Sequence, residues 1–350
     1  MPETLEEMIM QKPLAKRVRK GMPEPIRGTG MTYKIGWSIL RILNVVQQVD
    51  YRLYGAERLD QISGNKIIIS NHWSSDYYNL MDHTYNPFFR SGTQTVAWVK
   101  SKYYKDRNLA DRAIAFFLKA VGQIPVVNKT DIIYDDFRDR MGQSLDRDVY
   151  EQVRSNVDDP SQTEGPAAEY FNRYSEELPE VPYSEYLGTY VELMMDMTLK
   201  ATKEAFENSK RVIIYVGGLR DKRMSKVVMN GAAKAAHLFD ATIVARGING
   251  VQDSYEGLNP VPKKGAVIVD IIGSVVPKDE LRDIPMDYNP FRREHPEAHD
   301  PEAYERIFTE VSYRGKRYIN RLLRLPFMSE DAAPVNAFKE GRSLVPPGRS

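Results

Sequence analysis

The residues of this chain best suited to moving a proton are a histidine and an aspartate four positions apart, where an apolar run ends. The segment Ile67 to Asp76 reads I-I-I-S-N-H-W-S-S-D. A short buried strand that stops at a polar cluster delivers side chains to a sheet edge, where α/β proteins usually keep their chemistry. If a helix begins near Asn71, positions i and i+4 share a face, so His72 and Asp76 can touch. A carboxylate on one ring nitrogen fixes the tautomer and leaves the other nitrogen free to accept a proton. That is the outline of a general base aimed at a hydroxyl. A His–Asp pair in such a place also serves as a plain structural hydrogen bond or helix cap, and the pair by itself leaves both readings open.

The elements that must position this pair follow from hydrophobic periodicity. Strands are predicted at Lys66–Ser70, Thr93–Val99, Gln123–Val127, Arg211–Val216, Thr242–Arg246 and Ala266–Ile272, with strand-like character from Tyr51 that turns before Leu59. Helical spacing is predicted over Tyr33–Val49, Leu109–Val121, Tyr190–Asn208, Gly231–Phe239 and Pro301–Leu323. Strands alternating with helices of this length imply an α/β fold, a mixed central sheet flanked by helices. Residues 1–30 read as a flexible N-terminal arm, and 31–275 as the α/β domain. A helical, acidic and tyrosine-rich insertion with a flexible centre is expected at about 130–188. Residues 276–350 read as a C-terminal helix and a disordered tail.

Composition removes several function classes. Charged residues make up 28% of the chain but the net charge is only +1, so no global field draws it to nucleic acid or anionic lipid. Having no cysteine excludes disulfides, thiolate metal sites and a cysteine nucleophile. The five histidines, His72, His83, His237, His295 and His299, show no metal-ligand spacing, and no metal or cofactor is expected. No G-x-S-x-G elbow supports a serine hydrolase, and no glycine-rich phosphate loop follows a strand. Met1–Lys20 alternates charges where a signal peptide has an apolar core, and Met31–Val49 carries Lys34, Arg41, Gln47 and Gln48. A cytoplasmic protein is expected. Tyr33–Val49 suits either packing on its own domain or lying in a membrane interface with Trp37 and its cations as anchors.

Four blocks in order carry a family likeness: Asn71-His-Trp-Ser-Ser-Asp76, Trp98-Val-Lys-Ser-Lys-Tyr103, Val121-Gly-Gln-Ile-Pro-Val-Val-Asn-Lys129, and Ile213-Ile-Tyr-Val-Gly-Gly-Leu-Arg220 with Met229–Ala236 following. Over roughly residues 35–275, apart from the insertion, the chain resembles the glycerolipid acyltransferase family, whose best-known members acylate lysophosphatidic acid. The resemblance implies direct transfer of a fatty acyl group from acyl-CoA or acyl-carrier protein to a lysolipid hydroxyl. His72 is then the base and Asp76 its orienter. Arg220 and Lys129 fall where that family binds the acceptor's phosphate. Asn71, Ser74, Lys100 and Gly218 complete the substrate-binding set. The implied partners are a membrane surface, a lysolipid acceptor and a carrier protein, with no nucleic acid, and the implied location is the cytoplasmic face of a membrane.

Two departures stand out. The family usually places four residues between histidine and aspartate, and here there are three. Its F-P-E-G-T-R block keeps only Gly218 and Arg220, because Val216, Gly217 and Leu219 replace the proline, glutamate and threonine. A lysine at position 129 also supplies a point charge where an arginine would bind phosphate through two donors. The alternative reading is therefore a non-catalytic lipid- or protein-binding relative of the same fold. A hydrolytic role for His72, with water as acceptor, is the third.

Overall fold

A computed structural model describes residues 4–22, 42, 45–71, 95–104, 109–120, 122–216, 228–254, 261–292 and 300–323. Seven strands, β1 (Asp50–Tyr54), β2 (Lys66–Ser70), β3 (Thr95–Lys100), β4 (Ile124–Val126), β5 (Arg211–Tyr215), β6 (Thr242–Asn249) and β7 (Val267–Val275), form one sheet in the order β1-β7-β6-β2-β5-β3-β4. Strand β2 runs parallel to β5 and β6, β3 runs parallel to β5, and β1 runs parallel to β7. The pairing of β6 with β7 is antiparallel. The sheet is thus mixed and flanked by helices, in the α/β class that the alternating pattern predicts.

The chain divides into two compact units, one of residues 1–25, 99–202 and 291–293, the other of 26–98, 203–290 and 294–350. In the second unit the sheet centre is built from Ile67-Ile-Ile69, Val212-Ile-Ile214 and Ile243-Val-Ala245, all buried. Uninterrupted β-branched runs of this kind mark strands covered on both faces. Helix α11 (Pro301–Asn320) packs on β2, β6 and β7, so it belongs to this unit's core. Its seat is tight: a Cβ at Gly247 or Gly273 would lie 2.5 or 2.7 Å from the Leu322 side chain, and one at Gly315 would lie 2.5 Å from Ile69. Helices α3 (Glu57–Asp60), α9 (Gly231–Leu238) and α10 (Val251–Ser254) complete the described part.

The first unit is helical, with α1 (Leu5–Gln11), α2 (Pro13–Gly21), α4 (Leu109–Ala120), α5 (Lys129–Met141), α6 (Arg147–Ser155), α7 (Gly165–Glu177) and most of α8 (Tyr183–Glu207). Residues 4–22 are therefore two helices rather than a loose arm. Thr4 caps α1, Pro13 opens α2, and Ile9, Leu14, Ala15 and Val18 enter the unit's core. Residues 130–188 are mainly helical, and where a flexible centre was expected Asp159 caps a short 3-10 turn at Pro160–Gln162. Asn128 and Asp146 cap α5 and α6, and Gly142 closes α5 in the left-handed conformation (φ +69°) that favours glycine. Tyr170, Tyr174, Tyr183 and Tyr186 of this region are core residues. Tyr170 and Tyr186 donate to the Asp136 carboxylate at 2.6 and 2.7 Å, and Arg140 Nε donates at 2.9 Å. Three donors around one buried carboxylate meet most of its hydrogen-bonding demand.

Candidate functional site

Strands β2 and β5 end side by side. Ser70 is level with Tyr215, and the Val216 N–H donates to Ser70 O at 3.4 Å. The two most motif-like segments, residues 72–76 and 217–220, follow in sequence directly after Asn71 and Val216, at the carboxyl ends of adjacent parallel strands. This is where open α/β sheets bind ligands. His72, Ser74, Asp76, Gly218 and Arg220 themselves lie outside the described residues.

Asn71, the last described residue of the first segment, is 2% exposed. Its side-chain amide donates to Ile248 O at 3.0 Å and accepts from Ile248 N–H at 3.0 Å. The asparagine thus extends β2 by one residue, using its side chain as a surrogate backbone against β6. Both halves of the amide are committed to this clamp. Asn71 is expected to bind substrate, and its observed contacts also anchor the end of β2 on β6.

Two expected cations lie in the first unit. Lys100 is the final residue of β3 and is partly exposed. Lys129 is the first residue of α5 and is exposed, beside the Asn128 cap, whose side chain accepts from Asp131 N–H at 2.7 Å. A cation in the first turn opposes the helix dipole, so helix stability does not account for a lysine there. Its ammonium is accessible to an anion.

Sequence reasoning missed a buried ion pair beside β2. Arg246 on β6 is level with Ser70, and its side chain is 1% exposed. Its Nε and Nη2 donate to the two carboxylate oxygens of Asp270 on β7 at 2.8 and 2.6 Å. A guanidinium forked onto a carboxylate in a dry sheet fixes the relative placement of both strands. The signal was present in the sequence: Arg246 interrupts T-I-V-A-R-G-I-N and Asp270 interrupts V-I-V-D-I-I, each an otherwise apolar strand. His237, the histidine that is described, is a core residue. It lies 3.2 Å from Tyr288 O with its ring against Phe308, and burial lowers its pKa.

Among the described residues, no group of His, Asp and Glu could hold a metal ion, and no helix is long and apolar enough to cross a membrane. No protein-family model matches the sequence, and no curated protein matches it. The functional reading therefore rests on the motif residues and on where their flanking strands end.

Proposed function

We propose that the chain is a peripheral membrane O-acyltransferase that moves a fatty acyl group from an acyl thioester to the hydroxyl of a lysophospholipid or related lipid. His72, held by Asp76, takes the proton of the acceptor hydroxyl. The hydroxyl oxygen attacks the thioester carbonyl, the new C–O bond replaces the C–S bond, and the thiolate leaves with the proton that His72 carried. Arg220 and Lys129 are the proposed phosphate-binding cations, with Asn71, Ser74, Lys100 and Gly218 in the substrate-binding set.

The observation that supports this reading most is that β2 and β5 end side by side, directly before residues 72–76 and 217–220 in sequence. A base and a phosphate-binding arginine carried on two such segments would serve one acceptor molecule. The Asn71 clamp adds a fixed point immediately before the base, which proton transfer requires. Ile42, Val45 and Val46, at the end of the amphipathic stretch, are 61–71% exposed. Apolar side chains left in water beside a cation-flanked stripe suit a bilayer surface.

The test is transfer of radiolabelled acyl groups from acyl-CoA and from acyl-carrier protein to a panel of lysolipids. An acylated lipid product that requires His72 supports the proposal. No product with any acceptor, from folded protein that still binds lipid, would replace it with the non-catalytic reading.

A further inference from the structure

Helices α2 and α4 pack against each other in the first unit, and each turns a distinctive face to water. On α4, Leu109, Ala113 and Phe116 fall at i, i+4 and i+7, the spacing of one helical stripe. An apolar stripe of that spacing ordinarily enters a core. Here all three residues are exposed, Leu109 by 83% and Phe116 by 62%. Asp111, the acid of this helix, lies about 140° or more around the axis from the stripe, at roughly 100° per residue.

On α2 every charged residue is basic. Arg17 is committed to Asp135. Lys16, Arg19 and Lys20 lie across the helix from buried Leu14, Ala15 and Val18, and all three are exposed. None of the three makes an ion pair among the described residues. The two faces adjoin, because Lys20 and Phe116 line the same mostly apolar cleft between the helices. With a net charge of only +1 on the whole chain, this basic row is a local feature and not part of a generally basic surface. Projecting apolar groups bordered by cations meet both demands of an anionic bilayer surface, hydrocarbon for Leu109 and Phe116 and phosphates for the basic row. A folded acidic partner would satisfy the charges. It would also need a pocket shaped for side chains that stand this far out, whereas acyl chains part around them.

We propose that this face of the first unit docks on an anionic lipid bilayer. Leu109, Ala113 and Phe116 enter the boundary between headgroups and acyl chains, and Lys16, Arg19 and Lys20 lie among the phosphates. The contact belongs to a different unit from Ile42, Val45 and Val46, and it does not rest on acyl transfer.

The chain has no cysteine, so Leu109→Cys in the full-length protein carries a single environment-sensitive fluorophore. Glu169→Cys, at an exposed position on α7, serves as the control. Each is titrated with phosphatidylcholine vesicles with and without phosphatidylglycerol, and no acyl donor is present. The probe at 109 is expected to shift to the blue and to be quenched by brominated lipid, with anionic vesicles only, while the probe at 169 stays in water. Added salt should weaken the response. Replacing Lys16, Arg19 and Lys20 together by Gln should lower the partition coefficient about fivefold per charge, about a hundredfold in all. Phe116→Ser should lower it about tenfold. All these side chains face solvent, so the denaturation midpoints should stay unchanged. Vesicle binding with the probe at 109 still in water would place the contact elsewhere and overturn the proposal without touching the transferase reading. A probe already shielded without lipid, a response equal on neutral vesicles, or one that survives the triple substitution would also overturn it. So would a shift produced by acyl-carrier protein and not by vesicles, which would assign the face to an acidic protein.

Discussion

Replacing Asn71 by alanine removes the clamp that ends β2, and the structure allows the cost to be worked out. Two hydrogen bonds of 3.0 Å are lost, both to the backbone of Ile248, which is 1% exposed. The Ile248 N–H and C=O are left facing a cavity too confined to rehydrate them fully. Each unsatisfied buried group costs about 1–3 kcal/mol, and partial entry of water recovers some of it, so a loss of roughly 2–4 kcal/mol is expected. Asn71→Asp should be no better. It keeps an acceptor for the Ile248 N–H but turns a carboxylate oxygen toward Ile248 O and buries a charge. The assay is urea denaturation followed by tryptophan fluorescence, with hydrogen exchange across β6 as the local readout. A lowered midpoint with an unchanged slope, and faster exchange at Ile248, are expected. A shift below about 0.5 kcal/mol, within the range of an ordinary surface substitution, would refute the reasoning. A raised KM with unaltered stability would make substrate binding the main role of Asn71.

Other expectations follow from the described residues. Asp270→Ala removes the buried carboxylate to which Arg246 Nε and Nη2 both donate, at a cost of about 3–5 kcal/mol; a double-mutant cycle with Arg246→Met should show strong coupling, and additive losses would contradict the pair's role. Burial pushes the Lys210 ammonium down to about 8 from 10.5. The folded chain therefore binds that proton more weakly than the unfolded chain does. The resulting penalty is full below about pH 8 and fades as pH rises toward 10.5. Lys210→Met should stabilise the protein at pH 7 by roughly 1–2 kcal/mol, the full shift being discounted for partial solvation. Denaturation midpoints for variant and parent should converge near pH 10.5. A pH-independent difference would count against the assignment.

The parts of the fold legible in the sequence were those where one local pattern meets one environment. Lys66–Ser70 reads as a strand because three consecutive isoleucines suit a central strand buried on both faces, and the observed bounds coincide. Leu109–Val121 is likewise recovered to within a residue as a helix. The N-terminal helices were hidden because Lys16, Arg17, Arg19 and Lys20 outnumber the buried stripe of Leu14, Ala15 and Val18. That stripe has meaning only against a partner surface distant in sequence. The burial of the tyrosines from 170 to 190 was hidden for a related reason. Tyrosine suits a surface or a core equally, and Asp136, which makes it a core residue here, lies 34 positions before Tyr170 and 50 before Tyr186. The Arg246–Asp270 pair spans 24 residues and depends on an antiparallel register with a bulge, which periodicity does not encode. Of the proposed site, the strand ends were legible. The commitment of Asn71 to Ile248 was not, because it requires the neighbouring strand.

The account's central claim is that His72 is the base for acyl transfer. The most direct measurement is the initial rate of acyl transfer to the best lysolipid acceptor for the parent protein and His72→Ala, each shown to share one denaturation midpoint. The account predicts transfer by the parent and a fall of at least about 10²-fold in the variant, the range for removing a general base. Transfer at an undiminished rate by folded His72→Ala would contradict it.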